Sequence, residues 1–386
     1  MERKKVYVIH CSDYAQAAER LRAVIGEMGG MERFVRPGER ILLKANLLRP
    51  APPEAAICTH PAVVEAVASL VKEAGGTAVI ADSPGGALQK ESVLRNLYAK
   101  TGMEQAAANA GAEVSCDAST RLVTIPGGKR LKQAEIIAPA AEADGIIDLC
   151  KLKTHVFIGM TGAVKNFFGL IPGLAKVGFH GSHPDRLQFA DVLLDLTAWA
   201  RPRLCIMDGI LAMEGEGPGA SGTPRQVGLL LVSEDPLALD VVAAELIGLP
   251  RKDAPVLLAA QARGLTPNCL EDVELIGGEM EQLRISDYRL PANVRSNLME
   301  FLGPLQDAAG RLCQRILSQA PKIDKRTCIC CGICKNACPG KAISMTGPHG
   351  TAKIAPGACI RCYCCHELCP QQAVALKRGL FGRLLK

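Results

Sequence analysis

The sequence Cys328-Ile-Cys-Cys331-Gly-Ile-Cys334-Lys-Asn-Ala-Cys338-Pro339 is matched in spacing by a second stretch, Cys359-Ile-Arg-Cys362-Tyr-Cys-Cys365-His-Glu-Leu-Cys369-Pro370. Both follow the pattern C-x-x-C-x-x-C-x-x-x-C-P, which is typical of bacterial 4Fe–4S sites. Three thiolates of each run converge from a tight loop, and the proline ends the short helix that precedes it. Where two such runs occur together, the fourth cysteine of each ligates the other cluster. The spacing therefore predicts two 4Fe–4S clusters, with the ligands Cys328, Cys331, Cys334 and Cys369 for one and Cys359, Cys362, Cys365 and Cys338 for the other.

Zinc is the alternative metal for these cysteines, because thiolates also bind zinc. Zinc sites are usually built from two C-x-x-C pairs, which is not the pattern repeated here. Cys330 and Cys364 fall inside the two loops but outside the ligand spacing, so we interpret them as loop thiols near the cluster sulfurs. Residues 321–378 as a whole resemble a two-cluster bacterial-type ferredoxin, and this resemblance implies electron transport.

The composition is that of a folded chain with more than one domain. The 386 residues predict two to three domains, and 48% of them are hydrophobic, which supplies an ample core. No stretch reaches the roughly 18 apolar residues of a membrane span, and the N-terminus lacks the apolar run of a signal peptide. The cysteines outside the two runs are scattered singly, unlike a disulfide framework. These features predict a reducing, cytoplasmic location.

The positive charge of the chain is concentrated at its C-terminal end. Residues 321–386 hold 11 Lys and Arg against two Asp and Glu, so the net charge of +6 arises there. One interpretation is compensation for the negative charge of thiolate-ligated clusters. The other is a docking face for an acidic redox partner of the ferredoxin or flavodoxin kind. Aromatic residues are too few for a nucleic-acid stacking platform, so no nucleic-acid partner is expected.

The rest of the chain alternates strand-like and helix-like segments. This alternation predicts an α/β fold, a mostly parallel sheet with helices on both faces. Thr59 is predicted to cap the helix that Pro61 opens. We divide the chain into an α/β domain (1–278), a helical connector (279–320), a C-terminal α+β ferredoxin-type two-cluster domain (321–378) and a basic tail (379–386). Ligands of such sheets bind at the carboxyl ends of strands, which places Asn46 and Ser83 near any site.

A strand predicted at residues 145–150 is followed by an unusual stretch rich in lysine and glycine. It contains Lys151, Lys153, His155 and Lys165, and its glycines would let the backbone approach a ligand. The spacing is not that of a Walker A loop. The alternative is an ordinary glycine-rich crossover with solvated lysines. Histidines 180 and 183 follow in a short loop, and the carboxylates of residues 214 and 216 lie in a predicted acidic loop that is either a metal or acid–base site or a solvated turn.

Two resemblances concern this α/β part. The motifs Lys153-Thr-His155, Gly159-Met-Thr-Gly162-Ala-Val-Lys165-Asn-Phe-Phe-Gly169 and Asp208-Gly…Glu214-Gly-Glu-Gly-Pro218 resemble the family catalogued as domain of unknown function 362, whose members often carry a C-terminal ferredoxin. The stretch from Lys153 to Lys165 is also similar to a loop of nickel-pincer lactate racemases. That resemblance implies that Lys165 anchors a cofactor, that His155 is an acid–base group, and that His180 or His183 binds nickel. The racemases' N-terminal arginine-containing substrate motif has no match here, and racemases have no ferredoxin.

The sequence predicts an iron–sulfur protein of anaerobic metabolism whose clusters exchange electrons with a site in the α/β domain. An oxidoreductase acting on an anionic substrate or cofactor is the first hypothesis, and that further cofactor is unidentified. A pincer-type isomerase with an accessory ferredoxin and a pure electron carrier are the alternatives. The candidate catalytic residues are His155 and Lys165, with His155 exchanging a proton near neutral pH. The candidate substrate-binding residues are Asn46, His60, Lys151, Lys153, Asn166 and Asp208.

Overall fold

The structure is a computed structural model that describes residues 3–85, 90–173, 175–292, 319–346 and 350–377. Most of the predicted connector (279–320) and the whole predicted tail (379–386) lie outside the described residues. The described strands are β1 (Lys4–His10), β2 (Arg40–Ala45), β3 (Thr77–Ile80), β4 (Glu113–Val114), β5 (Thr120–Thr124), β6 (Gln133–Ile137), β7 (Gly145–His155), β8 (Gly159–Met160), β9 (Leu204–Gly215), β10 (Gly222–Ser233), β11 (Val273–Ile276), β12 (Ala320–Ile323), β13 (Ile343–Met345), β14 (Ala352–Ile354) and β15 (Val374–Lys377).

The longer described helices follow the segments that the sequence suggests, whereas residues 163–166 and 175–182, which were predicted as loops, are helical. The described helices are α1 (Ala17–Glu27), α2 (Pro61–Glu73), α3 (Glu91–Thr101), α4 (Met103–Ala110), α5 (Ala138–Ala141), α6 (Ala163–Asn166), α7 (Ala175–Ser182), α8 (Arg186–Ala200), α9 (Pro236–Leu246), α10 (Pro255–Ala262), α11 (Met280–Leu283), α12 (Ile333–Asn336) and α13 (Cys364–Glu367). The cap of α2 differs from the prediction. His60, not Thr59, is the N-cap, and its Nδ1 accepts a hydrogen bond from the Ala62 amide.

The large sheet is mixed but mostly parallel, as the alternation of strands and helices predicts. Its order is β11-β1-β10-β9-β7-β2-β3-β4, with β8 paired to the end of β7. Five neighbouring pairs along this order are parallel, and only the two pairs that β10 makes, with β1 and β9, are antiparallel. Strands β7 and β9 lie side by side near the middle, so the carboxyl ends of both open onto the same edge.

Side chains of the central strands alternate between two cores, one on each face of the sheet. Ile147 and Leu149 of β7 pack with α1 and α2, whereas Cys150 and Leu152 of the same strand pack with α8, α9 and α10. This alternation is the period of two that a strand imposes on its side chains. Helices therefore cover both faces, which is why the strands are almost continuously apolar.

Two central strands, β7 and β9, extend beyond the apolar segments from which they were predicted. Residues 151–155 were expected in a loop, but β7 continues through them to His155, where β8 pairs with it. Likewise β9 continues past Asp208 to Gly215 and forms a hairpin with β10, so Glu214 is a buried strand residue. Its carboxylate pairs with Arg225 and Arg289 (3.4 and 2.6 Å), which identifies a structural role rather than a solvated turn.

The C-terminal domain is built from two small antiparallel strand pairs. Strand β12 pairs with β15 and β13 pairs with β14, and the short helices α12 and α13 each contain the third predicted cysteine ligand of one run, Cys334 and Cys365. The domain packs directly on the α/β domain. Tyr363 belongs to the main apolar core, and His366 Nε2 lies 3.3 Å from the Glu216 carbonyl oxygen.

Candidate functional site

The cysteines of the two runs surround two separate cavities in the C-terminal domain. One cavity is lined by Cys328, Cys331, Cys334 and Cys369, and the other by Cys338, Cys359, Cys362 and Cys365. The fourth cysteine of each run thus lies in the cavity of the other run, which is the arrangement that the spacing predicts. Elsewhere each cavity is walled by apolar side chains, among them Ile323 and Val374 in the first and Ile343 and Ile354 in the second.

The donor chemistry of these cavities fits iron–sulfur clusters. In each half a backbone amide donates to the fourth cysteine, from Ala342 to Cys338 Sγ and from Ala373 to Cys369 Sγ, both at 3.2 Å. Hydrogen bonds of this kind to cluster sulfurs raise the reduction potential. Burial and neighbouring thiolates raise the pKa of Cys334 to about 11, so without a metal this thiol is protonated at neutral pH, and the positive charge of an iron–sulfide core would stabilise its thiolate form.

The two extra cysteines differ in their surroundings. Cys330 adopts a left-handed backbone (φ 58°) and its thiol lies 3.9 Å from the Cys328 carbonyl, on the wall of the first cavity. Cys364 is buried, and its hydrogen bond with the Cys362 thiol, together with burial, raises its pKa. Both thiols lie close to predicted ligands, but only Cys330 is in a loop, because Cys364 is the first residue of α13.

A second site lies beneath this domain, around His155 at the end of β7. The His155 side chain is fully buried, and its Nδ1 accepts a hydrogen bond from the Phe157 amide at 3.1 Å. The ring proton of the neutral imidazole therefore resides on Nε2. This Nε2 has no hydrogen-bond partner among the described residues. Burial lowers the pKa of His155 well below 6.5, and the charge of Lys165 lowers it further, so without a ligand the imidazole is neutral at neutral pH and its Nε2–H is a hydrogen-bond donor.

Lys165 and His180 complete the α/β side of this site. The ammonium of Lys165, on α6, lies 5.6 Å from the ring centre of Phe168, and His180, on α7, packs edge-on against the same ring. No hydrogen bond or ion pair of the Lys165 ammonium occurs within the described ranges, and the His180 Nδ1 also lacks a partner there. Burial lowers the pKa of Lys165 and lowers that of His180 to about 3. His183, by contrast, is half-buried, bonded to its neighbour Ser182 and outside this group.

The ferredoxin-type domain supplies the last wall of the site. Glu367, the final residue of α13, is buried, and its Oε1 lies 3.6 Å from His155 Nε2, too far for a hydrogen bond. That oxygen has no partner among the residues described. Burial raises the pKa of Glu367, and the nearby charge of Lys165 opposes this shift. We call His155, Lys165, His180 and Glu367 the interdomain site.

Three of the predicted substrate-binding residues form a satisfied network beside the interdomain site. Lys153 donates to Asn46 Oδ1 and to the Ile57 carbonyl (2.7 and 2.6 Å), and Asn46 donates to Asn166 Oδ1 (2.9 Å). Asn166 in turn donates to Asp148. The network also includes the buried ion pair of Lys44 with Asp82 at 2.8 Å. These groups already bond one another, so they support the site rather than present free atoms to a ligand.

The other three predicted residues lie in a separate cluster. Lys151 pairs with Asp208 at 2.6 Å, and Asp208 accepts hydrogen bonds from the Tyr14 hydroxyl and the His60 amide, both at 2.9 Å. The rings of Tyr14 and His60 stack with their centres 3.5 Å apart. Burial lowers the pKa of His60 to about 4, so its imidazole is neutral at neutral pH. The structure therefore distributes the eight predicted residues over three adjoining groups.

Sequence reasoning missed Glu367, Lys44 and Tyr14, and it ranked His180 below the principal candidates. Glu367 lies between two cluster cysteines, where the motif draws attention to the thiols alone. Its one signal in the sequence is that Glu367 is the only acidic residue of the strongly basic segment 325–386. Lys44 and Tyr14 carry no motif, and only the fold brings them to the strand ends.

Comparisons with known proteins match two separate parts of the chain. The model of the family described as domain of unknown function (DUF362) matches residues 41–245, and that of a 4Fe-4S dicluster domain matches residues 320–370. A protein of Synechocystis sp. described as thylakoid-associated is 35% identical over 298 residues, covering 73% of this chain and 88% of the relative.

Two solved structures show weaker similarity. The lactate racemase apoprotein from Thermoanaerobacterium thermosaccharolyticum is 13% identical with a TM-score of 0.34, and covers 55% of this chain and 51% of its own. A protein from Thermotoga maritima is 12% identical with a TM-score of 0.33, and covers 56% and 55%. The chain thus spans about half the length of each.

The predicted cytoplasmic location stays a prediction. Across the ranges that the structure describes, no helix has the length and apolar character of a membrane span. The relative's description as thylakoid-associated applies to that relative. The chain belongs to the domain of unknown function 362 family and carries a C-terminal 4Fe–4S dicluster domain of the ferredoxin type.

Proposed function

We propose that the protein is an iron–sulfur oxidoreductase in which two 4Fe–4S clusters exchange single electrons with a small ligand bound at the interdomain site. The clusters would be ligated by the two crossed cysteine sets that line the two cavities. The observation that carries this proposal is the contact between domains: α13 holds the cluster ligand Cys365 and, two residues later, Glu367 facing His155. A ligand that contacts both residues would lie next to the ferredoxin domain.

The chemistry of the interdomain site supports an anionic ligand. Buried polar atoms are almost always hydrogen-bonded, and an unpaired one costs about 1–3 kcal/mol. Here His155 Nε2, His180 Nδ1 and Glu367 Oε1 all lack partners among the described residues. An anion would accept from the Lys165 ammonium and the His155 Nε2–H. A hydroxyl or amine on the same ligand would donate to Glu367.

The residues of this chain then have distinct roles. Lys165 binds the anionic end, His155 donates a hydrogen bond to it, and Glu367 orients the ligand from the ferredoxin side. An anion near His155 would raise its pKa toward the neutral range, where it can transfer a proton. The network of Lys153, Asn46 and Asn166 holds the adjoining strand ends in place.

A pincer-type isomerase is the second candidate. The juxtaposition of Lys165, His155 and His180 favours it, because the resemblance to nickel-pincer racemases implies a lysine anchor, an acid–base histidine and a nickel-binding histidine. In that case the ferredoxin domain would serve assembly or regulation. A covalent adduct on Lys165 together with nickel is the observation that separates this candidate from the first.

Native mass spectrometry of anaerobically purified protein tests the proposal. We expect a bound non-iron small molecule that is lost in Lys165→Ala and in His155→Ala. Lys176→Met is the matched control, because Lys176 is also buried but donates to the Ser83 and Pro84 carbonyls instead of facing the site. Retention of the ligand in both site variants, or unimpaired function of both in vivo, would show that the site is assigned wrongly.

A further inference from the structure

The two cysteine loops differ sharply in exposure. In the second loop Cys362, Tyr363, Cys364 and Cys365 are all buried, and Tyr363 packs into the core of the α/β domain. In the first loop Cys331 is exposed and its neighbours are partly exposed. The first cluster position therefore faces outward, whereas the loop of the second is pressed against the α/β domain.

Apolar side chains surround the outward position. Ile329 is 60% exposed and Ile333 is 36% exposed, and both line the cavity that Cys331 also lines. Among the described residues only five large hydrophobic side chains are exposed, and three of these belong to the C-terminal domain. Exposed apolar residues gathered at one place indicate an interaction surface.

Cations flank these apolar residues. Lys325 and Arg326 precede the first cysteine, and Lys335 lies on α12 next to Ile333; all three are exposed. No ion pair within 4 Å involves any of them in the part of the chain that the structure describes. Asp324 is the exposed acid of this segment, and its side chain is bonded to the Arg326 amide and the Thr327 hydroxyl. The face is thus apolar at its centre and positive at its rim.

We infer that this surface, the Cys331 face (Lys325, Arg326, Ile329, Cys331, Ile333 and Lys335), docks an acidic electron-carrier protein. This inference rests on the proposed function, since it supplies the electrons that the interdomain site uses. The cluster that Cys328, Cys331, Cys334 and Cys369 would hold would supply one-electron chemistry at this face: the partner's reduced cofactor would be oxidised by one electron and that cluster reduced by one. No atom or group would be transferred between the proteins.

The physical basis is electrostatic steering followed by apolar contact. Opposite charge on two docking surfaces raises the association rate by roughly 10- to 1,000-fold at low ionic strength, and salt removes this gain. The central isoleucines exclude water once the surfaces meet. Transfer across the face therefore depends on its charge, whereas reduction of the same clusters by a small chemical reductant does not.

A flavodoxin of net negative charge, fully reduced, is the probe protein. Stopped-flow mixing with the intact holoprotein measures the second-order rate of cluster reduction, and equilibrium binding of oxidised flavodoxin measures affinity. The variant combines Lys325→Glu, Arg326→Glu and Lys335→Glu. The matched control combines Lys5→Glu, Arg20→Glu and Lys100→Glu, which make the same change in net charge on exposed residues of the α/β domain. Iron content and direct reduction by dithionite are measured on both variants.

We expect the Cys331-face variant to lose about tenfold or more in rate and in affinity at low ionic strength, and to lose the salt dependence. The control variant should change by less than about threefold, and both should keep their iron and their reduction by dithionite. Equal losses in the two variants, or no loss in either, would overturn the docking assignment. The ligand mass expected at Lys165 is measured separately, so failure of the interdomain site is distinguished from failure of this surface.

Discussion

Replacement of Lys165 by methionine is expected to stabilise the ligand-free protein while it abolishes ligand binding. The reason is that the Lys165 ammonium is shielded enough for burial to lower its pKa, yet no described residue pairs with it. Methionine keeps the length of the side chain and removes the charge. Binding sites often carry such a cost in stability, because their groups are arranged for the ligand.

The expected magnitudes follow from the contacts of two lysines. Because the Lys165 side chain retains some exposure, Lys165→Met should raise the free energy of unfolding only modestly, by about 0.5–2 kcal/mol. This corresponds to a rise in Tm of about 1–4 °C for an α/β domain of this size. Lys153→Met should do the opposite. It leaves Asn46 Oδ1 and the Ile57 carbonyl without their donor, at about 1–3 kcal/mol for each unsatisfied group.

The assay is thermal unfolding of anaerobic protein, followed by far-ultraviolet circular dichroism after mass spectrometry has verified that no small molecule is bound. Iron content is measured in parallel, so that loss of a cluster is not mistaken for a change in the α/β domain. If Lys165→Met lowers the Tm as much as Lys153→Met does, Lys165 is a structural lysine. The reasoning from unpaired groups would then be refuted.

Three further predictions concern single residues. Burial lowers the pKa of Lys153 from 10.5 to about 7, so between these pH values the unfolded chain binds more protons than the folded one. The free energy of unfolding should therefore rise from about pH 7 to pH 10, by up to about 1.4 kcal/mol per pH unit. Denaturation followed across that pH range should show a smaller slope for Lys153→Met. Cys338→Ser should remove about half of the bound iron in anaerobic iron analysis, whereas Cys330→Ser should retain nearly all of it, and equal losses would contradict the exclusion of Cys330 from the cluster ligands. Asp240→Ala should lower the free energy of unfolding by about 2–4 kcal/mol, because the carboxylate accepts from two buried amides at the start of α6 (2.7 and 3.1 Å). Denaturant unfolding measures this change, and an unchanged midpoint would show that these bonds contribute nothing.

The cluster motif and the class of fold were accessible from the sequence because both depend on short-range patterns. Cysteine spacing fixes which thiols share a loop, and the alternation of apolar strands and helices specifies a mostly parallel sheet. The end of β7 was not accessible. Lys151, Lys153 and His155 are polar enough to resemble a loop, and only the neighbouring strands and helices supply the partners that allow them to be buried in a strand.

The grouping of the site residues depends on long-range contacts that spacing does not encode. Lys151 and Asp208 are 57 positions apart in sequence and meet because β7 and β9 are neighbours. Glu367 reaches His155 only because the ferredoxin-type domain packs on the strand ends. The sequence could name His155 and Lys165 as candidates, but not the carboxylate that faces them.

Quantitative metal analysis of anaerobically purified protein, with acid-labile sulfide measured on the same sample, tests the central claim most directly. Two cubane clusters predict about eight irons and eight sulfides per chain. Iron and sulfide near these values, with a large loss of both in Cys331→Ser, would agree with the electron-transfer account. About one additional nickel per chain would favour the pincer-type alternative and make Lys165 the residue to examine. Zinc bound at the cysteines without sulfide would contradict it.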